Sequence, residues 1–334
     1  MDYHYLGRSA LQISPLCLGT MMFGGATDEA TSRRIIDKAR EQGVNFIDTA
    51  DGYNGGASEE IVGRAVRDHR YHWVVATKFG HRLSDAANHG GQSRKWIVHD
   101  VEQSLRKLGT DHIDLLYFHK ADIHAPFEEG LRAIGDLIAQ GKLRYYGVSN
   151  FKGWRIAEVC RAADTLGMDR PVASQPLYNM VDRLAEVEQL PAAGHYGVGV
   201  VPYSPLARGV LSGKYAEGAA PPDGSRVARG DPRILQTEWR PESLAIARAV
   251  ARHAAERGMT TVAFAIAWVL KNAFVSAAIA GPRTEAQWDS YLAALAAELG
   301  PEDEAFVDGL VAPGHASTPG YTDPAYPVEG RRVR

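Results

Sequence analysis

One rhythm governs this sequence: short apolar runs alternate with longer stretches whose apolar residues recur at helical spacing. Eight such runs occur, at residues 16–19, 46–48, 74–78, 113–118, 145–149, 172–176, 198–202 and 276–280. Helices are predicted at 28–42, 58–66, 94–108, 127–140, 154–166 and 185–193, then at 241–257, 260–271 and 284–299. Asp28 and Ser58 stand where N-caps belong, and Gly43, Gly109, Gly141 and Gly167 stand where helices stop. Strands that are apolar throughout need cover on both faces, and intervening helices supply it when the strands pair in parallel. The fold class expected is α/β, a (β/α)8 TIM barrel. Residues 3–6 and 11–13, around Gly7, Arg8 and Ser9, read as an N-terminal β-hairpin ahead of it.

No polar linker divides the chain, so residues 1–334 read as a single barrel domain. Two connections, 80–93 and 203–240, are too long for plain turns and are expected to be long loops on the C-terminal face of the barrel. The tail, 313–334, is rich in Pro and Gly; it is expected to be non-helical, wrapping over that face or staying mobile. Hydrophobic residues make up 45% and charged residues 23%, enough apolar material for a large core in a soluble protein. The formal net charge of −3 argues against nucleic acid or an anionic membrane as a partner. The longest strongly apolar stretch, 260–270, is too short to span a bilayer, and the first residues lack the pattern of a secretory signal. A cytoplasmic location is expected. Cys17 and Cys160 are the only cysteines, which excludes a disulfide framework and a cysteine-based zinc site; no metal is expected.

Three successive runs carry a titratable group at or near the C-terminal end. The second ends in Asp48, with Tyr53 five residues on; the third ends in Lys78; the fourth is followed by His119. In a parallel barrel all these ends converge on one face, where active sites sit. Singly, each has an ordinary reading: a rim salt bridge, a hydrogen-bonded rim histidine, a packed loop tyrosine. Together they form a constellation. An ammonium at Lys78 would lower the pKa of a phenol at Tyr53, and Asp48 would hold that ammonium in place. His119 would orient a substrate carbonyl. Such a set suits protonation of an oxygen while hydride arrives at carbon. A Schiff-base role for Lys78 is the rival chemistry.

Hydride requires a cofactor, because no side chain supplies one. The run after the first strand lacks the Gly-x-Gly-x-x-Gly fingerprint, so a Rossmann domain is not indicated. Two stretches suit phosphate instead: the loop from Tyr203 to Leu211, and the turn from Gly281 through Arg283 to Gln287.

These segments resemble the aldo-keto reductases, and the likeness runs from Leu6 to the last helix. It rests on Phe-Ile-Asp-Thr-Ala-Asp-Gly-Tyr (46–53), Ala-Thr-Lys (76–78), Asp-Leu-Leu-Tyr-Phe-His (114–119) and Gly-Val-Ser-Asn (147–150). It rests further on Gln175, Tyr-Ser-Pro-Leu (203–206) and Gly-Pro-Arg (281–283) with Gln287. The resemblance implies a barrel that binds NADPH (NADP+), with NADH as a possible substitute. Its activity would be the reversible reduction of small aldehydes or ketones to alcohols, with Asp48, Tyr53, Lys78 and His119 as the catalytic tetrad. By the same likeness Gly19, Thr20, Met21 and Asp48 border the cofactor. Ser149, Asn150 and Gln175 hold the nicotinamide, and Tyr203 stacks on it. Ser204, Pro205, Leu206, Arg208, Gly209 and Leu211 cover the pyrophosphate, and Arg283 and Gln287 meet the adenosine 2′-phosphate end. Where the family commonly has an asparagine for adenine, Tyr291 stands here, so stacking or a weaker preference for NADPH is expected. Ser174 likewise precedes Gln175 where an asparagine is common. Phe23 and Phe79, with Tyr53 and His119, are expected to line the substrate pocket. The long seventh loop resembles the bacterial and channel-subunit branches, which adds a second expectation: a cofactor-occupied regulatory or scaffold subunit with little turnover.

Overall fold

A helix begins where a side chain can satisfy its free N–H groups, and Asp28 does so for the first one, accepting from the backbone of Thr31 at 2.8 Å. Such caps, with glycines in the left-handed region at Gly109 and Gly167, delimit several of the predicted helices. The computed structural model describes residues 1–122, 124–216 and 218–327; the last seven residues of the predicted tail lie outside the described residues. In chain order the elements are β1 (His4–Tyr5), β2 (Gln12–Ile13), β3 (Leu16–Gly19), α1 (Glu29–Glu41), β4 (Phe46–Asp48) and α2 (Ala57–Val66). Next come β5 (Val74–Phe79), α3 (Arg94–Leu108), β6 (Ile113–Phe118), α4 (Phe127–Ala139), β7 (Leu143–Ser149), α5 (Gly153–Leu166) and β8 (Ala173–Gln175). The rest are α6 (Gln189–Tyr196), β9 (Gly199–Val200), α7 (Pro232–Gln236), α8 (Pro241–Glu256), α9 (Thr261–Lys271), β10 (Ala278–Ala280), α10 (Glu285–Leu292) and α11 (Pro301–Leu310).

The chain falls into two compact units. The first comprises Met1–Pro176, Glu188–Tyr203 and Ala273–Asp289. It contains one parallel sheet of eight strands, ordered β10-β3-β4-β5-β6-β7-β8-β9. A parallel bridge between Val200 and Val275, with the Ser276 N–H donating to the Val200 carbonyl at 2.8 Å, joins the two ends. This is the (β/α)8 barrel expected. Side chains on a strand alternate between faces. One set, including Cys17, Phe46, Val74, Ala76, Leu115, Tyr117, Ala173 and Ile279, packs together as the barrel interior. Leu6 and Ile13 of the β1–β2 hairpin join the same cluster. The period of two then puts Asp48, Lys78, His119 and Gln175 on the interior side of their strands, one layer beyond that apolar set.

The second unit comprises Leu177–Val187, Ser204–Asn272 and the chain from Ser290 onward. It holds α7, α8, α9 and α11. The described tail residues, 313–327, are non-helical; Ser317 donates its N–H to the Val181 carbonyl at 2.9 Å, and Arg240 lies 3.7 Å over the Tyr321 ring. Among the described residues no helix is long and apolar enough to cross a membrane.

Several predicted boundaries are corrected. Ser58 is not a cap. Gly56 occupies that position, and the buried Ser58 hydroxyl meets those of Thr20 and Thr49 at 2.8 and 2.9 Å. The helix predicted at 185–193 is a single 3-10 turn, Leu184–Glu186, followed by α6. Pro191 explains the shift, because a residue without an N–H is tolerated only in a first turn. The helix predicted at 284–299 ends at Leu292 and continues as a 3-10 turn, Ala293–Ala296. Beyond it α11 was not foreseen. Its signal is legible in Gly300, Pro301 and Asp303: Pro opens the helix and Asp303 accepts the Gly300 N–H at 2.8 Å.

Candidate active site

β4 and β5 are neighbours, paired in parallel with Asp48 opposite Ala76. Lys78, two residues further along the same face, therefore reaches Asp48. Its ammonium donates to Asp48 Oδ1, to the Thr49 carbonyl at 2.8 Å and to Tyr53 Oη at 3.2 Å. Lys78 is fully buried and Asp48 nearly so. Gln175 at the end of β8 donates to Asp48 Oδ2 at 3.0 Å, so both carboxylate oxygens are engaged. Burial works against the Lys78 charge, but the Asp48 carboxylate and the Tyr53 oxygen outweigh it and hold the ammonium well above its ordinary range.

Tyr53 opens a 3-10 turn, Tyr53–Gly56, whose Asn54 sits at φ 49° and Gly56 at φ 96°. Asn54 fastens the turn to the loop after β3, donating to the carbonyls of Met21 and Phe23 at 3.0 and 2.7 Å. The direction of the Tyr53 pKa corrects the sequence reading. Burial raises it; Lys78 lowers it as expected but does not prevail, and the Asp48 charge adds to the rise. The phenol is therefore firmly protonated at neutral pH, the form a proton donor needs.

His119 follows β6, its N–H bonded to the Phe79 carbonyl at 2.9 Å. Its ring centroid lies 6.0 Å from that of Tyr53 and 4.2 Å from that of His81. Burial, then the nearby charge of Lys78, holds the imidazole well below its usual pKa, so it is neutral. Its buried Nδ1 has no hydrogen-bond partner among the described residues. His81 was missed in the sequence although it lies three residues past Lys78; burial and the Lys120 charge bring its pKa down to about 4.

The residues expected at the nicotinamide form a connected set. Ser149 Oγ donates to the Gln175 carbonyl at 2.9 Å, and Asn150 Nδ2 donates to Ser149 Oγ and the His119 carbonyl, both at 3.0 Å. Tyr203 Oη donates to Asn150 Oδ1 at 2.8 Å. Asn150 takes a left-handed φ of 60°, which asparagine tolerates better than most residues. Gly19 and Thr20 lie at the end of β3 and just past it, with the Thr20 hydroxyl on the Asp48 carbonyl at 2.9 Å. Past β10, Gln287 Oε1 accepts the Arg283 N–H at 2.8 Å, and Thr27 donates to the Arg283 carbonyl at 3.3 Å.

Ser204, Pro205, Leu206, Arg208, Gly209 and Leu211, together with Tyr291, belong to the second unit. There Asn179 donates to the Ser204 carbonyl at 3.1 Å, and the Leu206 carbonyl accepts from Gly209 and Leu211 at 2.8 and 3.1 Å. The Arg208 guanidinium, expected at a pyrophosphate, is paired with Glu238 at 2.9 Å and donates to Thr237 at 3.1 Å. Phe79, expected at the substrate pocket, lies on the opposite side of β5 from Lys78, fully buried with its ring centroid 4.8 Å from that of Phe118. Phe23 is fully buried as well.

The arrangement is a charged ion pair set beneath a protonated phenol, next to a neutral imidazole. A model of the aldo/keto reductase family matches residues 15–312. The chain belongs to the aldo/keto reductase family. It is 38% identical over 299 residues to the "Uncharacterized oxidoreductase YrpG" of Bacillus subtilis, covering 86% of this chain and 89% of the relative. It is 37% identical over 292 residues to a "Probable voltage-gated potassium channel subunit beta" of Arabidopsis thaliana, with the same coverage. With the "Aldo-keto reductase AMT2" of Alternaria alternata it shares 33% over 338 residues, 90% of this chain and 89% of the relative. Membership of this family makes the chain an oxidoreductase of the type that uses nicotinamide cofactors.

Proposed function

We propose that this chain reduces aldehydes or ketones to alcohols with NADPH, reversibly, and that Tyr53 is the proton donor. The observation that carries the reading is the placement of Lys78 Nζ, 3.2 Å from Tyr53 Oη and hydrogen-bonded to Asp48. The donor set fits the cofactor: an amide headgroup needs donors and acceptors together, and Ser149, Asn150 and Gln175 supply both in linked positions. Ser149, Asn150 and Gln175 would hold the nicotinamide and Tyr203 would flank it. Arg283 and Gln287 would meet the 2′-phosphate. The cofactor when bound supplies hydride.

The chain's own residues do the rest. His119, neutral, donates a hydrogen bond that orients the substrate oxygen. Tyr53 hands that oxygen its proton as negative charge grows there. The phenolate left behind lies against the Lys78 ammonium, whose charge Asp48 keeps in place and whose field stabilises the new anion. A Schiff base at Lys78 is disfavoured, because an amine held as ammonium is not a nucleophile.

Tyr53→Phe is expected to lower kcat by about 10²- to 10⁴-fold, the span of general acid catalysis, while cofactor still quenches tryptophan fluorescence. Unchanged turnover would remove Tyr53 from the reaction. Arg283→Ala is expected to weaken NADPH binding and leave NADH little changed; equal losses would unseat the 2′-phosphate assignment. A second reading, a cofactor-holding regulatory subunit, is favoured by the channel-subunit name of one relative at 37% identity. Steady consumption of NADPH with a panel of aldehydes and ketones selects the enzyme; tight cofactor without turnover selects the subunit.

A further inference from the structure

Asp51 lies two residues before Tyr53, and the mechanism above leaves it unused. Its side chain is 1% exposed. Oδ1 accepts the Gly52 N–H at 2.6 Å, and its backbone N–H donates to the Lys78 carbonyl at 3.2 Å. Oδ2 is buried and has no donor among the described residues. Asp100, on the buried face of α3, brings a second carboxyl within hydrogen-bonding reach of the first. A third comes from α2: Glu59 accepts from the Thr77 hydroxyl at 2.7 Å and from the Lys107 ammonium at 3.2 Å. Among the described residues two cations, Lys107 and Lys78, face this group. Lys107, from α3, also donates to the Asp51 carbonyl at 3.4 Å, while Lys78, from β5, is committed to Asp48. Three carboxyls therefore share one ammonium. The described residues hold no cluster of three or more His, Cys, Asp or Glu arranged for a metal ion.

Two ionised carboxylates are acceptors only and cannot bond to each other. A single proton between them turns a repulsive contact into an O–H···O bond. We propose that Asp51 and Asp100 share one proton, and that this proton locks the loop carrying Tyr53, which makes Asp51 a positioning residue for the proton donor. The loop has need of such a lock. Its residues Asn54, Gly55 and Gly56 all have positive φ, and Lys107 is packed so closely beneath it that a Cβ on Gly56 would lie 2.9 Å from the ammonium. Burial pushes the Asp51 carboxyl up to about 7, with the Glu59 charge adding to the rise. Burial and then the Asp51 charge push the Asp100 carboxyl up to about 8. The unfolded chain releases these protons near pH 4. The folded chain thus holds a proton the unfolded chain has lost, so its stability falls as pH rises from about 4 toward about 8.

The positioning role rests on the enzyme reading; the shared proton does not. The test uses the full chain carrying Asp100→Asn, whose amide donates to Asp51 at every pH, and Asp51→Asn as the second variant should the first not fold. In infrared difference spectra against the variant, the wild type is expected to show the C=O stretch of a protonated carboxyl near neutrality, vanishing by about pH 9. Its thermal midpoint falls over the same range relative to the variant's. Wild-type kcat for carbonyl reduction declines as the pair ionises, whereas the variant's profile stays flat there. Absence of the band, or a variant midpoint that tracks pH as steeply as the wild type's, overturns the proton. Matching kcat profiles with the band present overturn the positioning role. A chain that turns over no carbonyl sinks the enzyme reading, and the infrared and thermal results still decide the proton.

Discussion

Two buried sets of charge flank the Tyr53 loop, and they solve the same problem in opposite ways. Around Asp48 and Lys78 the charges balance one to one, and both carboxylate oxygens have donors. Around Asp51, Asp100 and Glu59 they do not: among the described residues three carboxyls meet one ammonium, and one oxygen has no donor. In a balanced pair each charge opposes the loss of the other, because removing either leaves its partner stranded in a low dielectric, even though burial raises the Asp48 carboxyl above its ordinary range. A crowded set relieves itself by binding a proton. The first suits a fixed electrostatic task under a phenol; the second suits a response to pH.

The largest effect is expected where balance is broken. Asp48→Asn leaves the Lys78 ammonium buried without an anion, and denaturant unfolding should show a loss of about 3–5 kcal/mol. A loss below 1 kcal/mol would mean that the ion pair is not what keeps Lys78 charged. Gln175→Leu strips one donor from Asp48 and keeps the pair; a smaller loss of about 1.5–3 kcal/mol is expected by the same measurement. Smallest is Lys107→Met in the crowded set, about 1 kcal/mol near neutrality, because the carboxyls answer the lost cation by holding protons more tightly. Its signature is the slope. The Asp51 and Asp100 pKa values rise further above their unfolded values, so the loss should shrink toward about pH 5 and grow toward about pH 9. A loss independent of pH would show that the crowded set does not titrate.

The sequence revealed the balanced set and concealed the crowded one. Asp48, Lys78 and His119 are conspicuous because each stands at the end of an apolar run, where a charged or imidazole side chain has no packing role. Asp51 lies inside the same legible segment, yet nothing local marks it as buried. Asp100 did leave a trace: it shares the apolar face of α3 with Trp96, Ile97, Val101 and Ser104, a position where an isolated carboxylate is costly. Its partner could not be read, because the other carboxyl comes from a loop some fifty residues away in sequence.

Helix and strand positions were largely fixed by neighbouring residues: caps, glycine stops and periodicity act over a few residues and need no partner. Failures came where a local signal had two readings, as with Ser58, which a cap and a buried hydroxyl cluster explain equally well until Thr20 and Thr49 are beside it. The phenol of Tyr53 shows the division most clearly. That a lysine would lower its pKa follows from charge alone; that burial would outweigh the lysine depends on the water excluded by every strand around it. Residue types and their spacing determined the barrel, the ion pair and the order of the site. Tertiary packing decided which groups hold a proton, because desolvation and crowding of charge are sums over neighbours that the chain brings together only by folding.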